Sequence, residues 1–129
     1  MIRKVLIVED EAIVALDLSD KLKVLGYEVT GITERGEHAV SMARELRPDA
    51  VLMDIRLAGK MDGIAAAEQI QKSCGATVIF LTAHSEPDVL ERAKLISPSG
   101  YVLKPFQINE LRIALQNADC ENKPEVSRG

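Results

Sequence analysis

The sequence predicts an α/β domain of five strand–helix units, (βα)5, with a doubly wound parallel five-stranded sheet as the middle of three layers. Short apolar, β-branched runs recur at 4–8, 50–53 and 76–81, with weaker ones at 27–32 and 100–103. Segments with apolar residues at helical spacing separate them. Strands that alternate with helices give a parallel sheet covered on both faces. The 129 residues fit one domain, since domains commonly hold about 100–150 residues. That length also suffices for a core without disulfide or metal staples.

Each element has its own signal. Residues 4–8 (KVLIV) read as a strand buried on both faces. Residues 11–25 carry Val14, Leu18, Leu22 and Leu25 at helical spacing, and Gly26 is a natural stop. Residues 27–32 are β-rich but broken by Glu28 and Thr30, as suits an edge strand. Residues 36–46 place Ala39, Ala43 and Leu46 on one helical face, and Pro48 ends that helix. Residues 50–53 (AVLM) form a second fully apolar strand. After the loop 54–60 a helix runs over 63–72, with Asp62 as its N-cap.

Residues 76–81 (ATVIFL) form the third apolar strand. Ser85-Glu86-Pro87-Asp88 has the S-x-x-D form of a helix start with Pro in the first turn. That helix carries Val89, Leu90, Ala93 and Ile96. Residues 100–103 form the last strand, and a helix over 108–118 turns Ile108, Leu111 and Leu115 inward. The domain thus spans 1–118. Residues 119–129, polar and with Pro124, read as a disordered tail or linker.

Composition narrows the function. Lys and Arg number 16 against 20 Asp and Glu, a net charge of −4. Nucleic-acid binding needs clustered Lys and Arg. Four aromatics (Tyr27, Phe80, Tyr101 and Phe106) make no base-stacking platform. Cys74 and Cys120 lie in no metal-binding or CxxC spacing and read as reduced thiols. No apolar run approaches the ~20 residues of a membrane span. Acidic residues follow MIRKVLIV too soon for a signal peptide. The expectation is a cytoplasmic protein that contacts neither nucleic acid nor membrane directly.

Open α/β sheets bind ligands beyond the carboxyl ends of their strands, near the topological switch point. Those ends carry Glu9, Asp10 and Glu11 after the first strand and Asp54 after the third. Thr82, Ala83 and His84 follow the fourth, and Lys104, Pro105 and Phe106 the fifth. The second offers only Thr33 and Glu34. Taken singly, an acid here merely suits a helix dipole, and a Lys is a solvated charge. Jointly, an acid pair, an acid, a hydroxyl and a Lys-Pro each close a different strand. If the order is 2-1-3-4-5, the first and third strands are neighbours about 4.8 Å apart. Asp10 and Asp54 then face each other with Glu9 beside them. Three crowded carboxylates repel unless a cation sits between them. Oxygen-only ligands favour Mg²⁺.

This set resembles the receiver domain of two-component response regulators. The matching pieces are VLIVEDE (5–11), VLMDI (51–55), MDG (61–63), LTAH (81–84) and GYVLKPF (100–106). Together they cover about 3–118. The resemblance implies the flavodoxin-like, CheY-like architecture with order 2-1-3-4-5. It makes Asp54 the phosphoacceptor. Glu9 and Asp10 become the acid pair that holds Mg²⁺ (Mn²⁺ as an alternative), with Asp54 and the backbone carbonyl of Arg56. Thr82 and Lys104 become the groups that bind phosphoryl oxygens. Tyr101 becomes the switch aromatic, coupled through Thr82 to the face of helix four, strand five and helix five. Arg56 and His84 occupy positions that tune hydrolysis of the acyl phosphate. The Lys104–Pro105 bond is expected to be cis.

The loop from Asp54 to Asp62-Gly63 is one residue longer than the commonest family form, and Ala58 stands where Pro is common. The implied partners are a histidine kinase or phosphotransfer protein as donor, an output module or protein, and a second copy through the helix-four to helix-five face. The resemblance implies no conventional enzyme, only self-catalysed phosphorylation and slow dephosphorylation. The chain reads as a stand-alone receiver or a piece of a longer regulator or hybrid kinase. Three other functions fit the architecture less well. A flavin binder needs a Gly-, Ser- or Thr-rich phosphate loop where Glu9-Asp10-Glu11 stands. A Mg²⁺ phosphohydrolase needs a second acid near the nucleophile, and Asp54-Ile55-Arg56 lacks it. An unphosphorylated scaffold has no use for the intact set.

Overall fold

A computed structural model describes residues 2–57, 61–82 and 87–122, with the side chains of 87–90 and 120–122 left aside. The elements alternate: β1 (Lys4–Val8), α1 (Ala12–Val24), β2 (Glu28–Thr33), α2 (Gly36–Leu46) and β3 (Ala50–Asp54). Then follow α3 (Gly63–Cys74), β4 (Thr77–Thr82), α4 (Pro87–Lys94), β5 (Gly100–Leu103) and α5 (Ile108–Asn122). The strands form one parallel sheet of order β2-β1-β3-β4-β5. Fold class, strand order and the edge position of β2 are all as expected.

Side chains alternate across a strand, so each central strand feeds two cores. Val5, Ile7, Leu52, Ile79 and Leu81 pack with Leu18 and Leu22 of α1 and Leu111 and Leu115 of α5. Leu6, Val8, Val51, Met53 and Phe80 pack with α2, α3 and Ala93 of α4. This double burial is why β1, β3 and β4 read as unbroken apolar runs. The register sets Val8 beside Met53, Asp54 beside Leu81 and Thr82 beside Leu103. The carboxyl ends of four strands therefore lie at one rim.

Several boundaries shift. Strand β2 starts and ends one residue later than the sequence suggests, because pairing with β1 fixes its limits at Glu28 and Thr33. The register slips between Val5 and Leu6. Helix α1 starts at Ala12 rather than Glu11, and Gly26 makes its turn at φ 95°. Helix α3 runs to Cys74, where Gly75 at φ 70° takes the left-handed cap. Leu46 and Ile108, expected inward, are 39% and 38% exposed. One ends α2 and the other starts α5.

The expected boundary after residue 118 moves as well. Helix α5 continues to Asn122. Ala118 is fully buried, and Asp119 Oδ1 accepts the Ile2 N–H at 2.9 Å. Only Pro124 opposes the helix. Residues 123–129 lie outside the described residues, as do His84, Ala58 and the Ser85-Glu86 helix start. Cys74 is a free, partly buried thiol. No described helix is long and apolar enough to cross a membrane.

Candidate functional site

The rim formed by the strand ends holds a cavity of about 410 Å³ lined by Asp10, Glu11, Asp54, Ile55, Arg56, Leu81, Thr82 and Lys104. Glu9, Asp54 and Thr82 are buried, while Asp10 is exposed at the edge. One carboxylate oxygen from each of Glu9, Asp10 and Asp54 lies within 4.8 Å of the other two. Strand β3 delivers Asp54 between β1 and β4, and β1 delivers the acid pair. Lys104 follows β5, where its N–H bonds the Thr82 carbonyl at 2.8 Å. The Lys104–Pro105 peptide is cis, as expected. The Lys104 Nζ stands 3.0 Å from Asp54 Oδ2 and 3.0 Å from Glu9 Oε1.

Backbone donors complete the cradle. Asp54 Oδ1 accepts the Arg56 N–H at 3.1 Å, and Glu9 Oε2 accepts the Glu11 N–H at 3.1 Å. Glu9 Oε1 is buried and shares the Lys104 ammonium with Asp54, one cation for two carboxylates. That shortfall of positive charge, the oxygen-only donor set and the exposed Asp10 edge fit a hard divalent cation.

The profile of the response regulator receiver domain matches residues 5–116. The chain belongs to this family. It is 40% identical over 116 residues to the transcriptional regulatory protein PdtaR of Mycobacterium tuberculosis, covering 90% of this chain and 56% of that relative. The chain thus spans about half the length of that relative. The signal receiver domain of a modulated diguanylate cyclase from Desulfovibrio desulfuricans superposes with a TM-score of 0.89 at 37% identity. That match covers 94% of this chain and 96% of the other. The receiver domain of a Pseudomonas aeruginosa sensor histidine kinase, with magnesium coordinated in its active-site cleft, gives 0.80 at 32% identity, covering 92% and 99%.

In this receiver the pocket's formal charge is −2, from three carboxylates against Lys104. Burial first, and the Asp54 charge second, push the Glu9 carboxyl up to about 7. Burial likewise raises Asp54, opposed by its bonds to Lys104 and the Arg56 N–H. Burial works against the Lys104 ammonium, but Asp54 and Glu9 outweigh it and hold its pKa above the usual lysine value. A proton on Glu9 and a divalent cation are two ways to relieve one repulsion.

A pH dependence follows. A carboxyl raised on folding contributes stability at low pH that is lost as pH rises through its folded value. In chelator, stability to urea is expected to fall by about 2 kcal/mol between pH 5.5 and 8. Glu9→Gln should flatten that slope, and wild type in Mg²⁺ should flatten it too. An equal slope in all three would show that Glu9 is not the titrating group.

The structure brings Glu9, Asp10, Asp54, Arg56, Thr82 and Lys104 to one cavity, as the sequence suggests. Tyr101 lies outside it, its ring stacked on Phe80 at 6.2 Å. His84 cannot be placed among the described residues. Two features went unread in the sequence. Gly63 starts α3 so close to β3 that a Cβ there would overlap the Asp54 carbonyl. Asp62 also receives Arg92 from α4 at 2.9 Å. The MDG string marked the place of the first; no local pattern marks the second.

Proposed function

We propose that this receiver is a phosphorylation switch whose phosphoacceptor is Asp54. The observation that carries this reading is the burial of Asp54 at the base of an open cavity with the Lys104 ammonium 3.0 Å away. A carboxylate oxygen of Asp54 forms a bond to phosphorus as the P–N bond of a partner's phosphohistidine breaks. The imidazole leaves with the electron pair. Phosphoryl transfer asks mainly for positioning and charge stabilisation. Lys104 supplies a fixed positive charge to the phosphoryl oxygens, and the Thr82 hydroxyl supplies a donor. Glu9, Asp10, Asp54 and the Arg56 carbonyl would hold Mg²⁺, which would supply charge neutralisation for the phosphoryl group. Arg56 and His84 tune hydrolysis, so the domain catalyses only its own phosphorylation and slow dephosphorylation.

Thr82 and Phe80 point to the same side of β4, two residues apart. Phe80 stacks on Tyr101, its register neighbour in β5. This pathway supports relay from the phosphoryl site to the α4–β5–α5 face, where Tyr101, Leu103 and Ile113 are exposed. That face takes the output partner or a second copy. The donor is a histidine kinase or phosphotransfer protein.

Incubation with acetyl phosphate, read by intact mass, tests the reading. One phosphoryl group is expected to be gained with Mg²⁺ and none with excess chelator. Wild type that gains nothing in Mg²⁺, or gains equally in chelator, would overturn it.

A further inference from the structure

Helix α4 meets the start of α3 through a charge pair. Ala93 is buried, whereas Glu91, Arg92 and Lys94 are exposed. Lys94 and Glu91 pair within the helix at 3.3 Å. Arg92 leaves its helix, and its Nη2 bonds Asp62 Oδ2 at 2.9 Å, 30 residues away in sequence. Asp62 is no ordinary surface acid. Its Oδ1 caps α3 at the Ala65 N–H at 2.9 Å. The next residue, Gly63, donates its N–H to the Ile55 carbonyl at 2.9 Å and lies against the Asp54 backbone. One carboxylate therefore joins α4 to the start of α3, and the next residue's backbone seats α3 on the wall of the phosphoryl cavity.

We propose that Arg92 and Asp62 form an ionic latch that holds α4 in the unphosphorylated receiver, and that its release loosens α4 and eases phosphorylation at Asp54. The second half rests on the reading of Asp54 as phosphoacceptor. The strength suits a latch rather than a strut. Both side chains are partly solvated, 57% and 40% exposed. An exposed pair of this kind biases an equilibrium by about 1.4- to 5-fold, and salt screens it. That is enough to shift a switch and too little to lock it.

Asp62→Asn removes the charge and keeps a good N-cap, so it separates the latch from the cap. Arg92→Gln breaks the pair from the other side. Hydrogen exchange of the α4 amides, measured without phosphate donor, reads the latch alone. At low salt both variants are expected to speed α4 exchange by about 1.4- to five-fold, with the double variant no faster than either. Wild type in 0.5 M NaCl, where the Debye length is about 4 Å, should match the variants. Uptake from acetyl phosphate should rise by a similar factor. Unchanged α4 exchange in either single variant, or effects that add in the double, would overturn the latch. Faster exchange with unchanged uptake would overturn its coupling to Asp54. If wild type takes no phosphoryl group at all, the proposed function fails while exchange still decides the latch.

Discussion

Asp54→Asn is expected to abolish phosphoryl uptake while leaving the fold at least as stable as wild type in chelator. The amide has the shape of the carboxylate but cannot form an acyl phosphate, so the loss should be complete. Stability moves the other way because burial raises the Asp54 carboxyl above its ordinary value. Its ionised form therefore opposes folding at neutral pH. Removing it takes the pocket from a formal −2 to −1, and the amide oxygen still accepts the Arg56 N–H, at the cost of turning the amide NH2 toward the Lys104 Nζ. Lys104 also keeps Glu9 Oε1 at 3.0 Å. Two measurements on one sample check this: intact mass after acetyl phosphate with Mg²⁺, and the urea midpoint in chelator. Uptake equal to wild type would place the phosphoacceptor elsewhere. Lost uptake with a collapsed midpoint would mean that Asp54 is needed for folding and would leave its chemistry unsupported.

The parts legible in the sequence share a physical cause. Strands buried on both faces are written as unbroken apolar runs, so the first polar residue after each run marks the rim. Asp54 is marked that way, as are Glu9 and the Thr82 at the end of β4, whereas Lys104 follows β5, an edge strand with Tyr101 and Leu103 exposed, and is marked by its Lys-Pro pair. The strand order turned a list of strand ends into a site. What is not legible depends on partners distant in sequence or on a position at the end of a helix. Leu46 and Ile108 obey helical periodicity yet sit at helix ends, half out of the core. Helix α5 outlasts its apolar pattern because Asp119 finds the Ile2 N–H at the far end of the chain. The slip between Val5 and Leu6 passes over Thr30 in β2, and its one mark in the sequence is the neighbouring Gly31 inside the strand. Composition does not say which of 20 acids meets Arg92. The raised Glu9 carboxyl needed burial as well as crowding, and only the structure supplies burial.

Gly63→Ala should show how closely the site depends on its backbone. A Cβ on Gly63 would overlap the Asp54 carbonyl and lie 2.8 Å from the Ile55 Cα. Flexible side chains could yield to it, but these obstacles are backbone at the end of β3. That strand is fixed between β1 and β4. Relief must come from lifting the first turn of α3, which breaks the Gly63 N–H bond to Ile55 and disturbs the Asp62 cap. Overpacking commonly costs 1–3 kcal/mol, so about 3 kcal/mol is expected where backbone meets backbone. The shift also moves Arg56, whose N–H holds Asp54 Oδ1, so phosphoryl uptake should slow as well. Gly75→Ala is the control. Gly75 has φ 70° with nothing within 4 Å of a Cβ. Its cost is conformational, about 1–2 kcal/mol, and it lies at the other end of α3, so uptake should stay near wild type. The two variants thus separate a loss of stability from a displacement of Asp54. Gly63→Ala with a wild-type urea midpoint and a wild-type uptake rate would show that α3 can give way freely, and that its close seat under Asp54 does not position the carboxylate.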